Sequence, residues 1–188
     1  MPLTTYTPGE VLIAASLNAN LSFAASSPAG GLTLISTTTI GTTVSSVTVS
    51  SAFSATYDNY KIIVNGGTSS ASTYLKMTLG ATATGYYFGE LYRTYGGVSS
   101  ADNLSNGAYW LVGSGRTNGL ISNIEIQNPF LSARTCFNSI FANPLTTGET
   151  EFVGGFLDNA TSYTAFTLTP NSGTITGGTI RVYGYANS

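Results

Sequence analysis

Histidine is missing from this chain, cysteine occurs once, and Asp, Glu, Lys and Arg together make up only 7% of its 188 residues. Each absence removes a class of function. Without His there is no Ser-His-Asp or Cys-His catalytic device and no His-ligated metal site. A single Cys136 cannot form an intrachain disulfide, and its setting, Arg134-Thr135-Cys136-Phe137, reads as a small core hydrophobe rather than a nucleophile. The six basic residues, Lys61, Lys76, Arg93, Arg116, Arg134 and Arg181, are scattered and the formal net charge is −2, which excludes binding along a phosphate backbone. No apolar run approaches the ~20 residues of a spanning helix. The longest, around residues 11–15, is far shorter, so no membrane insertion is expected. Hydrophobic residues at 42% and aromatics at 12% equally exclude a disordered chain. Met1-Pro2-Leu3-Thr4-Thr5 lacks the positive start of a secretory signal, so the protein is expected to stay where it is made or to leave by another route.

In place of charge the chain carries 29 Thr, 23 Ser, 22 Gly and 12 Tyr. Thr and Tyr suit pleated, half-buried surfaces, and Gly and Ser suit turns. The composition predicts an all-β protein. Alternation supports it: Tyr60, Ile62 and Val64 share one face, as do Leu75, Met77 and Leu79, Ile124 and Ile126, Phe166 and Leu168, and Ile180 and Val182. One apolar face at period two marks antiparallel sheets packed on each other. Asn65-Gly66-Gly67, Tyr95-Gly96-Gly97, Thr117-Asn118-Gly119, Asn128-Pro129 and Pro170-Asn171-Ser172-Gly173 mark turns. The expected fold is an antiparallel two-sheet sandwich, jelly-roll-like, with eight to ten strands and those alternating apolar residues in its core.

The first thirty residues differ. Ser16 is placed to cap a short helix over residues 17–23, and two turns need a partner surface. Ser26-Ser27-Pro28-Ala29-Gly30-Gly31 reads as a joint. Residues 1–31 are therefore expected to be an arm and joint, containing at most a short helix, and residues 32–188 the sandwich. In the arm, Val11, Leu12, Ile13, Leu17, Leu21 and Phe23 are too apolar to lie free and too few to build a core, which marks them as attachment residues.

Candidates for chemistry are few. Glu149 and Glu151 lie two apart and would share a strand face, as a glycosidase pair could, but they read as solvated strand-edge charges. Asp58-Asn59, Asp102-Asn103 and Asp158-Asn159 suit turns better than a calcium loop. Residues 113–119 are Gly-rich but lack the Gly-Lys-Ser/Thr ending of a phosphate loop, and read as a hairpin. No cofactor, no metal and no catalytic residue are expected, and the protein is read as a non-enzyme. One cluster has a positive message: Tyr86, Tyr87, Tyr92, Arg93, Tyr95 and Trp110. Aromatics beside Arg offer rigid amphipathic area for recognition, here of a glycan. Gly85, Gly89, Gly96 and Gly97 bracket it and suggest loops. Equally, strand alternation would send some members into the core.

Three regions carry a resemblance. Leu34-Ile35-Ser36-Thr37-Thr38-Thr39-Ile40-Gly41, residues 44–49 and Tyr57-Asp58-Asn59-Tyr60-Lys61-Ile62 resemble the opening of β-rich bacteriophage tail and virion proteins. Phe166-Thr167-Leu168-Thr169-Pro170 and residues 177–185 are similar to the closing strands of those modules. Thr7-Pro8-Gly9-Glu10-Val11-Leu12 and Leu17-Asn18-Ala19-Asn20 resemble segments that precede fibre domains. Together these cover about half the chain and leave residues 79–153 unmatched. The resemblance implies a virion structural protein, often a homotrimer, made in the host cytoplasm and released by lysis. It would be a tail fibre or fibre tip held to other virion proteins by its arm and contacting host surface glycans. A capsid decoration or head fibre clamped to the shell is the alternative, and a virion-bound glycan hydrolase or esterase a lesser one.

Overall fold

In the computed structural model, residues 5, 7–9, 11, 14–26, 31–142 and 148–187 are described. The chain divides into two compact units, Met1–Gly31 and Leu32–Ser188. In the first, one helix, α1 (Ala14–Ser26), is longer than the expected 17–23 and begins before Ser16, which therefore lies inside it rather than capping it. Ala14, Ala15, Ala24 and Ala25 extend it, alanine being the strongest helix former. Leu17 and Leu21, one turn apart, are exposed, as is Val11. Leu12 and Ile13 lie outside the described residues, as does the side chain of Phe23. No helix among the described residues is long and apolar enough to cross a membrane.

The second unit is all-β. Its described residues form fourteen strands, more than the eight to ten expected, because pairings of only two residues, such as Thr68–Ser69 and Ile175–Thr176, are too short to show a period. They are β1 (Leu32–Thr39), β2 (Val47–Val49), β3 (Asn59–Gly66), β4 (Thr68–Ser69), β5 (Thr73–Leu79), β6 (Tyr86–Thr94), β7 (Ser99–Gly107), β8 (Trp110–Arg116), β9 (Gly119–Gln127), β10 (Thr135–Ala142), β11 (Glu149–Leu157), β12 (Phe166–Pro170), β13 (Ile175–Thr176) and β14 (Thr179–Tyr185). All pairings between these strands are antiparallel.

The architecture turns on β9. One edge pairs with β3 along its whole length, from Asn59 opposite Gln127 to Gly66 opposite Leu120. The other edge is divided: residues 119–121 pair with β8 and residues 124–127 with β10. From this fork one branch runs β1-β14-β3-β9-β10-β11-β6-β7 and the other β8-β5-β12-β2, with β4 and β13 as a small separate ribbon. At the fork β8 bulges: Leu75 faces Gly113 and Lys76 faces Leu111, leaving Val112 unpaired. Its carbonyl is satisfied instead by the hydroxyls of Ser122 on β9 and Ser139 on β10, the latter at 2.7 Å. A buried acceptor thereby ties the two branches together.

The core lies between the branches. Leu75, Met77, Leu79, Ile124, Ile126, Phe166, Leu168, Ile180 and Val182, the residues expected inside from alternation, are all buried. Each contributes about 1.5–3 kcal/mol by leaving water. Trp110 stacks on Phe137 with centroids 4.4 Å apart and meets Tyr86 edge-on at 5.2 Å. What the pleat sends inward fills the core; what it sends outward from β6, β7, β10 and β11 forms the surface of interest.

Candidate functional site

The aromatic cluster that is continuous in sequence separates into distinct places. Tyr86 and Trp110 are fully buried, so they present no recognition surface. The reason is the alternation of β6 and the position of Trp110 at the start of β8, where each also has a polar anchor. The Tyr86 hydroxyl accepts from Leu79 N at 2.8 Å and donates to Thr82 O at 3.1 Å, and Trp110 Nε1 donates to Phe156 O at 3.2 Å. Burial pushes the Tyr86 phenol up to about 12. Gly85, Gly89, Gly96 and Gly97 do not delimit loops throughout, because Gly89 lies inside β6. Tyr92 is half-buried on the inner face and lines a cleft of about 260 Å³ with Tyr74, Lys76, Phe88, Glu90 and Tyr109. Arg93 is exposed near the end of β6, and Tyr95 is exposed in the turn to β7. Tyr87 alone of the six sits on the outer face among further aromatic rings.

Strand register builds that outer face in rows. In one row Ala101, Leu91, Phe152 and Ile140 lie directly opposite one another across β7, β6, β11 and β10. Leu91, Phe152 and Ile140 are 65%, 52% and 49% exposed, although such side chains are usually turned inward. The next row is Asn103, Gly89, Gly154 and Asn138. A third places Tyr87 opposite Phe156 and Phe156 opposite Cys136. Tyr87 and Phe156 are stacked, 4.9 Å between centroids and 8° between planes. The Arg134 guanidinium lies 5.4 Å from the Phe156 ring and pairs with Asp158 at 2.6 Å. Cys136 is a half-buried free thiol on this surface, not the core hydrophobe expected, because the pleat turns its neighbour Phe137 inward instead.

The middle row is the floor of a trough and the flanking rows are its walls. A depression of about 740 Å³ is lined by Gly89, Leu91, Asn103, Asn138, Phe152 and Gly154. A second shares Gly89, Asn103 and Gly154 with it and reaches Tyr87 and Phe156. A third shares Asn138 and continues past Glu125 to Tyr185. Space above the glycines is open: a Cβ on Gly89 would meet nothing within 4 Å, and one on Gly154 only Phe137 O at 3.7 Å. The amides of Asn103 and Asn138 make no side-chain hydrogen bond to other described residues. Beyond Asn138 the row continues into Glu125 and Lys61, which are spent on each other at 2.6 Å, Glu125 also accepting from the Tyr185 hydroxyl at 2.6 Å. Sequence reasoning placed Tyr87 in the candidate cluster, read Gly89 beside it as a loop residue and Asn103 as a turn residue, and gave no sign of Phe152, Phe156, Asn138 or Gly154, because their meeting depends on the pairing of four strands.

A second polar feature lies on the inner face. Glu151 is fully buried and Glu90 nearly so, which corrects the reading of Glu151 as a solvated edge charge; β11 pairs on both sides and is no edge. Neither oxygen of Glu151 meets an N–H or O–H donor among the described residues. Its hydrogen-bonding neighbour is the carboxyl of Glu90, so the contact is a bond only when the pair holds a proton. Burial first, then Glu90 and Glu149, hold the Glu151 carboxyl well above the usual range. Burial likewise raises Glu90, with Asp102 and Glu149 adding to it. Tyr74 beside them is pushed up to about 12 by burial and by Glu151, Glu149 and Glu90. This pair stores a proton inside the sandwich, and Glu151 is not among the residues that line the adjoining cleft. Among the described residues no group of His, Cys, Asp and Glu is arranged to hold a metal ion.

No family model, no curated protein and no solved structure matches the chain.

Proposed function

We propose that this chain is a non-enzymatic structural protein of a bacteriophage particle, a tail-fibre or fibre-tip component whose β-domain contacts host surface glycans. The observation that carries the recognition half is the outer trough. The exposed Phe152, the half-buried Tyr87–Phe156 stack, an open glycine floor and unengaged amides lie side by side, with no cation among the residues that line them. Sugars present C–H faces that pack on rings and hydroxyls that exchange hydrogen bonds with amides, and both kinds of group are offered together here. The structural half rests on the resemblance of the first and last strands to virion modules. It is supported by exposed Val11, Leu17 and Leu21 in the arm, which suit burial against another virion chain. In this reading the chain assembles as a homotrimer and reaches the outside by lysis.

The test uses purified full-length protein and intact cells of candidate bacterial hosts. Adsorption that survives protease treatment of the cells but is lost after periodate oxidation of their glycans supports the reading. Adsorption lost to protease and indifferent to periodate, or no adsorption to any strain on which the particle grows, overturns it.

A further inference from the structure

We infer that the outer trough binds an internal stretch of an uncharged polysaccharide, laid across the strands along the row Asn103-Gly89-Gly154-Asn138. This rests on the glycan-recognition reading above and adds the ligand's charge, length and direction.

Direction follows from register. The four residues are successive partners on β7, β6, β11 and β10, so the floor runs perpendicular to the strands. Three strand spacings of about 4.8 Å put its two amides ~14 Å apart, the span of several linked rings rather than one. At the Asn138 end an adjoining depression continues the row, and at the Asn103 end β7 is the last strand of its branch, so neither end is closed. A pocket for a terminal sugar would be closed at one.

Charge follows from what lines it. The lining of the central depression and of the one that reaches Tyr87 and Phe156 is glycine, amide, hydroxyl and apolar apart from Glu90 and Asp102, which the pleat turns to the other face of β6 and β7. Two cations beside it are engaged, Arg134 with Asp158 and Lys61 with Glu125, while Arg93 lies beyond the Leu91 wall toward the β6–β7 turn and lines neither depression. An anionic polymer would find no free cation along this floor, and a neutral one needs none. Phe152 has no ring partner among the described residues, which leaves it as the platform on which a sugar face stacks.

The experiment is an array of microbial glycans, neutral and acidic and of graded length, probed with full-length wild type and with G89V, G154V and F152T. Valine at either glycine enters open space in an extended strand, and threonine keeps strand propensity at an exposed position, so all three should melt with the wild type. The inference expects binding to neutral chains that strengthens from one ring to several. It expects that binding to fall roughly tenfold or more in each variant, the scale of one lost well-packed contact. Preference for acidic glycans, full affinity for a single terminal sugar, or undiminished binding in folded G89V and G154V would overturn the trough as the site while leaving glycan recognition standing. Absence of binding to any glycan by the wild type would overturn both.

Discussion

Tyr87 and Phe156 lie face to face across the β6–β11 ladder, 4.9 Å apart and 8° from parallel. They are directly opposite in register, so the stack is set by the pairing and not by a loop. A rigid wall built this way holds its shape before a ligand arrives, and preorganisation lowers the ordering cost of binding.

Replacing Tyr87 by Ala should weaken glycan binding and cost about 0.5–1.5 kcal/mol of stability, the worth of one aromatic pair beyond its area. Urea unfolding and glycan affinity measured on the same preparation check the two effects. Unchanged affinity in a stably folded variant removes Tyr87 from the site.

Two adjacent glycines should behave oppositely. Gly154 faces the trough, and G154A is expected to leave the melting temperature within a degree or two, an exposed change of roughly 0.5 kcal/mol or less. A Cβ on Gly155 would meet Tyr87 O at 1.9 Å, so G155A should destabilise by roughly 3 kcal/mol or more as the strands part. Thermal melts of the two variants decide it.

Trp110 tests the division of the aromatic cluster into core and surface. W110A should cost about 3–5 kcal/mol, as for other buried aromatics. Below its lowered melting temperature, at a ligand-saturating concentration, the folded fraction should still bind glycan.

The Glu90–Glu151 pair predicts a pH dependence. Both carboxyls are raised in the folded state from an ordinary value of 4.5. Below that value folded and unfolded chains are both protonated, and the protein is at its most stable with respect to this pair. As pH rises, the unfolded chain releases protons that the folded one retains, so stability falls until the raised folded values are passed. The slope is at most about 1.4 kcal/mol per pH unit for each proton. Melting temperature should therefore decline from pH 5 upward, and E151Q should flatten the decline. A wild-type profile that rises over this range contradicts the assignment.

The legibility of the sequence followed the length scale of each signal. Leu75, Met77 and Leu79, or Ile180 and Val182, announce their faces by local alternation, and the core they form is the one observed. The pairing of Gly154 with Gly89 and Asn138 is invisible to such reasoning, because it depends on which strands adjoin and in what register. Tyr86 and Tyr87 show the boundary: alternation says they part company, but only the sheet says which goes in. Glu151 misled for a related reason. An acid between Thr150 and Phe152 looks like a surface charge until β10 and β6 are seen to flank it on both sides.

The most direct measurement is an amide and side-chain chemical-shift titration of the ¹⁵N-labelled full-length protein with the shortest neutral oligosaccharide that binds. The account predicts shifts at the backbone amides of Gly89 and Gly154 and at the side-chain amides of Asn103 and Asn138, fading toward β3 and β14. Shifts confined to the inner cleft around Tyr74, Tyr92 and Tyr109, or to helix α1, would contradict it.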